Sequence, residues 1–185
     1  ELNTVAGGGA VFKAVRGEYG AGKTFFSRWL QERARKQGFA TAEVQISETE
    51  TPLHKVETVY RRIAENLTTE EFPPSALAAV IDGWLFTLES DALAAGATEA
   101  SLTADAAALM EKRLGEVART APGFAAALRG YQQAVAAGDT AGAQGLLAWV
   151  GGQPHVAAGI KRQAGIKGSL DHFGALGFLQ GLLVV

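Results

Sequence analysis

Near its start the chain reads Gly17-Glu18-Tyr19-Gly20-Ala21-Gly22-Lys23-Thr24. That is the spacing G-x-x-x-x-G-K-[ST], the phosphate-binding loop of nucleoside triphosphatases. No other stretch constrains the fold as tightly, because such a loop sits between a buried strand and a helix. Both flanks agree. Ala10–Arg16 is a short, mostly apolar segment with β-branched and aromatic residues, and reads as the first strand. Phe25–Lys36 has helical spacing, with Phe26, Trp29, Leu30 and Arg33 on one face, and Trp29 and Leu30 are expected to pack on the sheet. Gly38 is the expected stop. With 23 glycines in 185 residues, the four fixed positions arise by chance in roughly one chain in a hundred of this composition, and the flanks reduce that further.

The chemistry follows from the residue types. Glycines let successive backbone N–H groups converge on a phosphate, and the positive end of the next helix adds to the field. Lys23 is expected to bridge β- and γ-phosphate oxygens, and the Thr24 hydroxyl to ligate Mg²⁺. The nucleotide site is therefore expected at Gly17, Glu18, Tyr19, Gly20, Ala21, Gly22, Lys23, Thr24 and Phe25, with Lys23 as the catalytic residue and Thr24 as the metal ligand. Turnover needs a further acidic residue at the end of an apolar strand. Asp82 follows Ala78-Ala79-Val80-Ile81, but Leu77, Ile81, Trp84 and Leu85 keep helical spacing there. Glu48 and Glu50 lie beyond a second expected strand, Ala40–Ile46, in a polar loop closed by Pro52 that reads first as solvated. None of the three satisfies the requirement.

The rest of the chain is helical in pattern. A helix is expected over Leu53–Leu67, with Leu53, Val56, Val59, Tyr60 and Ile63 on one stripe. Beyond Phe72-Pro73-Pro74, apolar residues recur at helix spacing from Leu77 to Leu88 behind a Ser75 cap. They recur again from Leu102 to Val117, and from Phe124 to Val135 after Pro122. Asp139 is the expected cap of a helix carrying Leu146, Leu147 and Val150. Ser169 or Asp171 is the expected cap of a last one through Leu176, Leu179 and Leu183. The expected fold is α/β: an incomplete P-loop sheet of two strands with a large, mostly helical insertion. The expected division is a P-loop core over residues 1–70, a helical insertion over 71–168, and a helix returning to the core over 169–185.

Other chemistries are weak. His54, His155 and His172 lack metal-ligand spacing. No G-x-S-x-G element supports a hydrolase triad. A net charge of −2 gives no support to DNA binding, and the clusters Arg33–Lys36 and Lys161–Lys167 read first as solvated helix ends, with contact to DNA or a partner as the second reading. The absence of Cys fits a reducing compartment and no apolar run of 18 residues suggests a membrane span, so a cytoplasmic protein is expected. The start at Glu1 without Met, and the end inside the apolar Leu182-Leu183-Val184-Val185, lead us to expect a fragment.

The segments Val15–Phe26 and Ala42–Leu53, with Val59-Tyr60-Arg61-Arg62, resemble the ATP-binding protein of BREX (bacteriophage exclusion) systems. The resemblance is specific over residues 5–67, fades through the helical middle and returns over Leu170–Val185. That family is similar to the P-loop ATPases related to AAA+ and STAND proteins. The resemblance implies ATP and Mg²⁺ as ligands, and ATP hydrolysis coupled to conformational change in phage defence. It also implies other defence proteins as partners, leaves room for a homo-oligomer, and puts the metal-binding acidic pair beyond Val185. This chain alone is then expected to be inactive. The alternatives are a non-catalytic nucleotide switch and a small-molecule kinase of the P-loop type.

Overall fold

A computed structural model describes residues 1–185, and the fold is all-α. Ten helices follow in order: α1 (Leu2–Ala6), α2 (Lys23–Arg35), α3 (Val56–Glu65), α4 (Leu77–Ala94), α5 (Leu102–Arg113), α6 (Gly115–Thr120), α7 (Pro122–Ala136), α8 (Thr140–Val150), α9 (Ala158–Gln163) and α10 (His172–Val184). No helix is long and apolar enough to cross a membrane.

The expected sheet is absent, and this is the main correction to the α/β reading. Ala10–Arg16 forms no strand and lies exposed. Of Ala40–Ile46, only Thr41 pairs, in an isolated antiparallel bridge with Thr68 whose two N–H···O bonds are each 2.8 Å. The reason is a property of strands. Alternating residues stabilise a strand only when a neighbouring strand takes up its N–H and C=O groups, and these two segments do not pair with each other. Two local expectations fall with the sheet. Trp29 and Leu30 are 47% and 39% exposed, not packed, and Leu53 is 68% exposed, outside α3 altogether.

The helical expectations fare differently. One continuous core of 25 buried residues runs from Tyr60 to Phe178, contributed mainly by α3, α4, α5, α7, α8 and α10. Consecutive helices pack as hairpins, α4 on α5 and α7 on α8, while α10 closes the assembly against α3, α6 and α7. The expected Leu102–Val117 helix is broken at Leu114 into α5 and α6. Asp139 and Asp171 cap as their positions suggest: their Oδ1 atoms accept the N–H of Gly142 at 2.9 Å and of Gly174 at 2.7 Å. Ser75 does not cap α4. It sits at φ +81°, its hydroxyl donates to Glu65 O at 3.4 Å, and Ala76 takes the capping position.

Phe178 on α10 is the hub of this core. Its ring meets those of Trp149, Phe124 and Tyr60 edge to face, with centroids 4.8, 5.2 and 5.7 Å apart. Burial pushes the Tyr60 phenol well above its ordinary range, so its hydroxyl stays a donor, and it donates to Val150 O at 2.7 Å. That carbonyl ends α8 and has no backbone partner, so the bond joins α3 to the C-terminus of α8. The close seating of α10 depends on two glycines. A Cβ at Gly177 would come within 2.6 Å of Ala121 Cβ, and one at Gly181 within 2.5 Å of the Phe124 ring.

Candidate functional site

Gly17 to Phe25 form one exposed loop leading directly into α2. Gly20 and Gly22 hold φ +81° and +83°, a left-handed backbone that side chains disfavour, and Gly22 is the N-cap of α2. These two turns fold the chain back so sharply that the loop keeps a single internal backbone bond, Ala21 N–H to Glu18 O at 3.2 Å. The N–H groups of Gly20, Gly22, Lys23, Thr24 and Phe25 donate to no protein acceptor. Three of them are first-turn donors that an α-helix leaves unpaired by construction.

The Lys23 side chain folds back on the loop. Its Nζ donates to Gly17 O and to Glu18 O, both at 2.7 Å, so the cation is held against the start of the loop. The Thr24 hydroxyl is exposed and has no protein partner. Unpaired N–H groups, one ammonium, one free hydroxyl and the positive end of a 13-residue helix are a donor set suited to an oligophosphate.

One signal that the net charge concealed is local. Between residues 13 and 36 the chain carries seven Lys or Arg against two Glu, on a molecule with a net charge of −2. Part of that charge is neutralised, since Lys36 pairs with Glu32 at 2.6 Å, but Arg28 and Arg33 remain exposed on α2. The resulting field favours an anion at the loop.

The acidic residues weighed from sequence stand apart. Asp82 lies on α4, not at a strand end, and its Oδ1 accepts the Tyr131 hydroxyl at 2.8 Å. Burial, then this bond and the carboxylate charge, push the Tyr131 phenol up to about 12, so it serves as a donor throughout the physiological range. Glu48 lines an open cleft with Ile46, Leu53 and His54, and Glu50 a separate polar one with Arg62 and Asn66. No group of three or more His, Asp or Glu side chains is gathered closely enough to hold a metal.

No curated protein and no solved structure matches the chain. A family model does, and over the whole length: the model of the BREX system ATP-binding protein BrxC/D matches residues 1–185. The loop and its donor set thus lie in a chain of known kinship: the protein belongs to the family of BREX system ATP-binding proteins, which joins ATP binding to phage defence.

Proposed function

We propose that residues Gly17–Phe25 are the ATP site, with Lys23 neutralising the β- and γ-phosphates and Thr24 holding Mg²⁺. The observation that carries this reading is the set of unpaired N–H groups of Gly20, Gly22, Lys23, Thr24 and Phe25 in the loop onto which the Lys23 ammonium folds back, in a chain of an ATP-binding family. Binding exchanges the two Lys23–carbonyl bonds for charge-assisted bonds to phosphate, which are roughly twice as strong as neutral ones. The first turn of α2 orients the nucleotide, and Mg²⁺, when bound, supplies the remaining charge compensation at the phosphates. Hydrolysis would then drive a conformational change that is passed to other defence proteins.

A second reading is a nucleotide-dependent switch in which ATP binds and is not turned over. It draws support from the position of Asp82, whose carboxylate accepts the Tyr131 hydroxyl on the surface of the bundle. Calorimetric titration with Mg²⁺·ATP tests the site. Lys23→Ala should weaken binding by at least tenfold, and unchanged affinity would remove the loop from consideration. Phosphate release then tests the switch: multiple turnovers of ATP by this chain would overturn it and favour the ATPase.

A further inference from the structure

Two helices of the molecule expose apolar stripes that carry opposite charge. On α4 the buried residues Ile81, Trp84, Leu88 and Ala92 lie along one side. Asp82, Phe86, Glu89 and Leu93 recur at i, i+4, i+7 and i+11, so they form a second stripe, turned about 130° from the first. All four are exposed, and neither Phe86 nor Leu93 joins the core or packs against it. The stripe lies in a strongly acidic stretch, since Ile63–Met110 carries eight Asp or Glu and no Lys or Arg. Arg113 and Arg129 pair with Asp91 and Glu111, and no cation pairs with Glu89.

The other stripe is on α2, in the basic stretch around the loop. Phe26, Trp29, Leu30 and Arg33 share a face and are all exposed, whereas Ala34, the one buried residue of the helix, lies on a different side. Contacts within the face fix its side chains. The Phe26 ring stacks on Trp29, with centroids 6.1 Å apart and planes at 29°, and the Arg33 guanidinium lies 5.7 Å from the Trp29 centroid. The result is a continuous apolar plate that ends in a cation. None of its apolar members joins the core or packs against it.

We propose that the α2 face of one copy of this chain docks on the α4 stripe of a second copy, head to tail, with Phe26, Trp29 and Leu30 against Phe86 and Leu93 and with Arg33 opposite Glu89. Charge selects this pairing over the symmetric ones, because α2 on α2 sets cations against cations and α4 on α4 sets carboxylates against carboxylates. Length agrees as well: 13 residues of α2 span about 20 Å and 18 residues of α4 about 27 Å. One helix on one helix covers less than the roughly 800 Å² per partner of a standard stable interface, so the association is weak and is strongest at low salt. A contact of this kind leaves one face free at each end, so it continues from copy to copy or closes into a ring. None of it depends on the phosphate loop being a nucleotide site.

The test is sedimentation velocity of the whole chain without nucleotide, over a range of protein concentrations at low salt. The mean sedimentation coefficient of the wild type should rise with concentration and fall back when salt is added. Glu89→Lys and Arg33→Glu should each weaken association at least about tenfold, since each sets like charges opposite one another. An equimolar mixture of the two variants should associate again. The mixture restores the original Arg33–Glu89 pair between unlike copies and creates its reverse, which misfolded variants could not do. A wild type that stays monomeric at every concentration overturns the inference. So does association that survives Glu89→Lys, which marks α2 pairing with α2, or that survives Arg33→Glu, which marks α4 pairing with α4. Loss in both variants without recovery on mixing overturns it too, because the two faces then do not meet.

Discussion

Residues 1–55 and residues 56–185 differ in whether their apolar side chains build a core. In the second region Phe124 and Phe178 are 0% and 2% exposed and every helix except α9 contributes to one core. In the first, Phe12, Phe25 and Trp29 are 91%, 76% and 47% exposed, and α2 buries only Ala34. The difference lies in how far a pattern must reach for its partner. An apolar stripe on a helix can pack on the next helix, as α4 does on α5 and α7 on α8. An alternating segment needs a ladder of hydrogen bonds from another strand, and neither Ala10–Arg16 nor Ala40–Ile46 finds one. The candidate site lies in the open region. The bundle lends it no wall, and α2 is the helix that shapes it.

The contrast can be broken most directly at its centre. Phe178→Ala removes the ring on which Tyr60, Phe124 and Trp149 converge, and should cost about 3–5 kcal/mol of bundle stability, read from the urea midpoint. A loss under about 1 kcal/mol would mean that the core is not organised around α10. Tyr60→Phe deletes the single bond to Val150 O and leaves that buried carbonyl unpaired, for an expected loss of about 1–3 kcal/mol. This variant also tests whether α3, which follows the open region in the chain, is locked to α8. Asp171→Ala removes the N-cap of α10 and should cost about 1 kcal/mol.

Changes in the open region should be far smaller. Trp29→Phe is expected to alter stability by less than about 0.5 kcal/mol. It should also abolish most of the acrylamide-quenchable tryptophan fluorescence, because Trp84 and Trp149 are only 6% and 5% exposed. Quenching that survives intact would show that a tryptophan of the bundle is open to solvent. The smallest effect is electrostatic. The Arg129 guanidinium, through a hydrogen bond first and its charge second, holds the Glu111 carboxyl below its ordinary 4.5. A depressed carboxylate stabilises the fold above its unfolded value and loses that contribution as the pH falls through the folded one. Both side chains are more than a third exposed, so the pair contributes less than about 1 kcal/mol. The urea midpoints of wild type and Glu111→Gln should differ slightly at pH 7 and converge on the acid side of 4.5. A difference that persists into acid would assign the effect to packing.

Much of the helical half was legible because its signals are local. Pro122 opens α7, and Asp139 and Asp171 cap α8 and α10 three residues before the N–H groups they accept. The misreadings were of two kinds. Ser75 has the residue type of a cap, but the turn into α4 puts it at φ +81° with its hydroxyl on Glu65, a geometry set by how α3 and α4 meet. The strand reading of Ala10–Arg16 and Ala40–Ile46 rested on residue preference, and strand preference acts only where a pairing surface exists. The loop was legible as a motif, whereas the concentration of cations around it was masked by the balance of the whole chain.

By itself, then, the sequence determined the Gly17–Thr24 loop, the helix after it, the family, and the apolar stripes and caps of the bundle. Each of these depends on residues a few positions apart, where spacing alone sets the geometry. Only the tertiary structure decided that the bundle closes on Phe178, that Tyr60 ends α8, and that Asp82 answers to Tyr131. Those outcomes depend on which surfaces meet across tens of residues, and spacing along the chain carries no record of that.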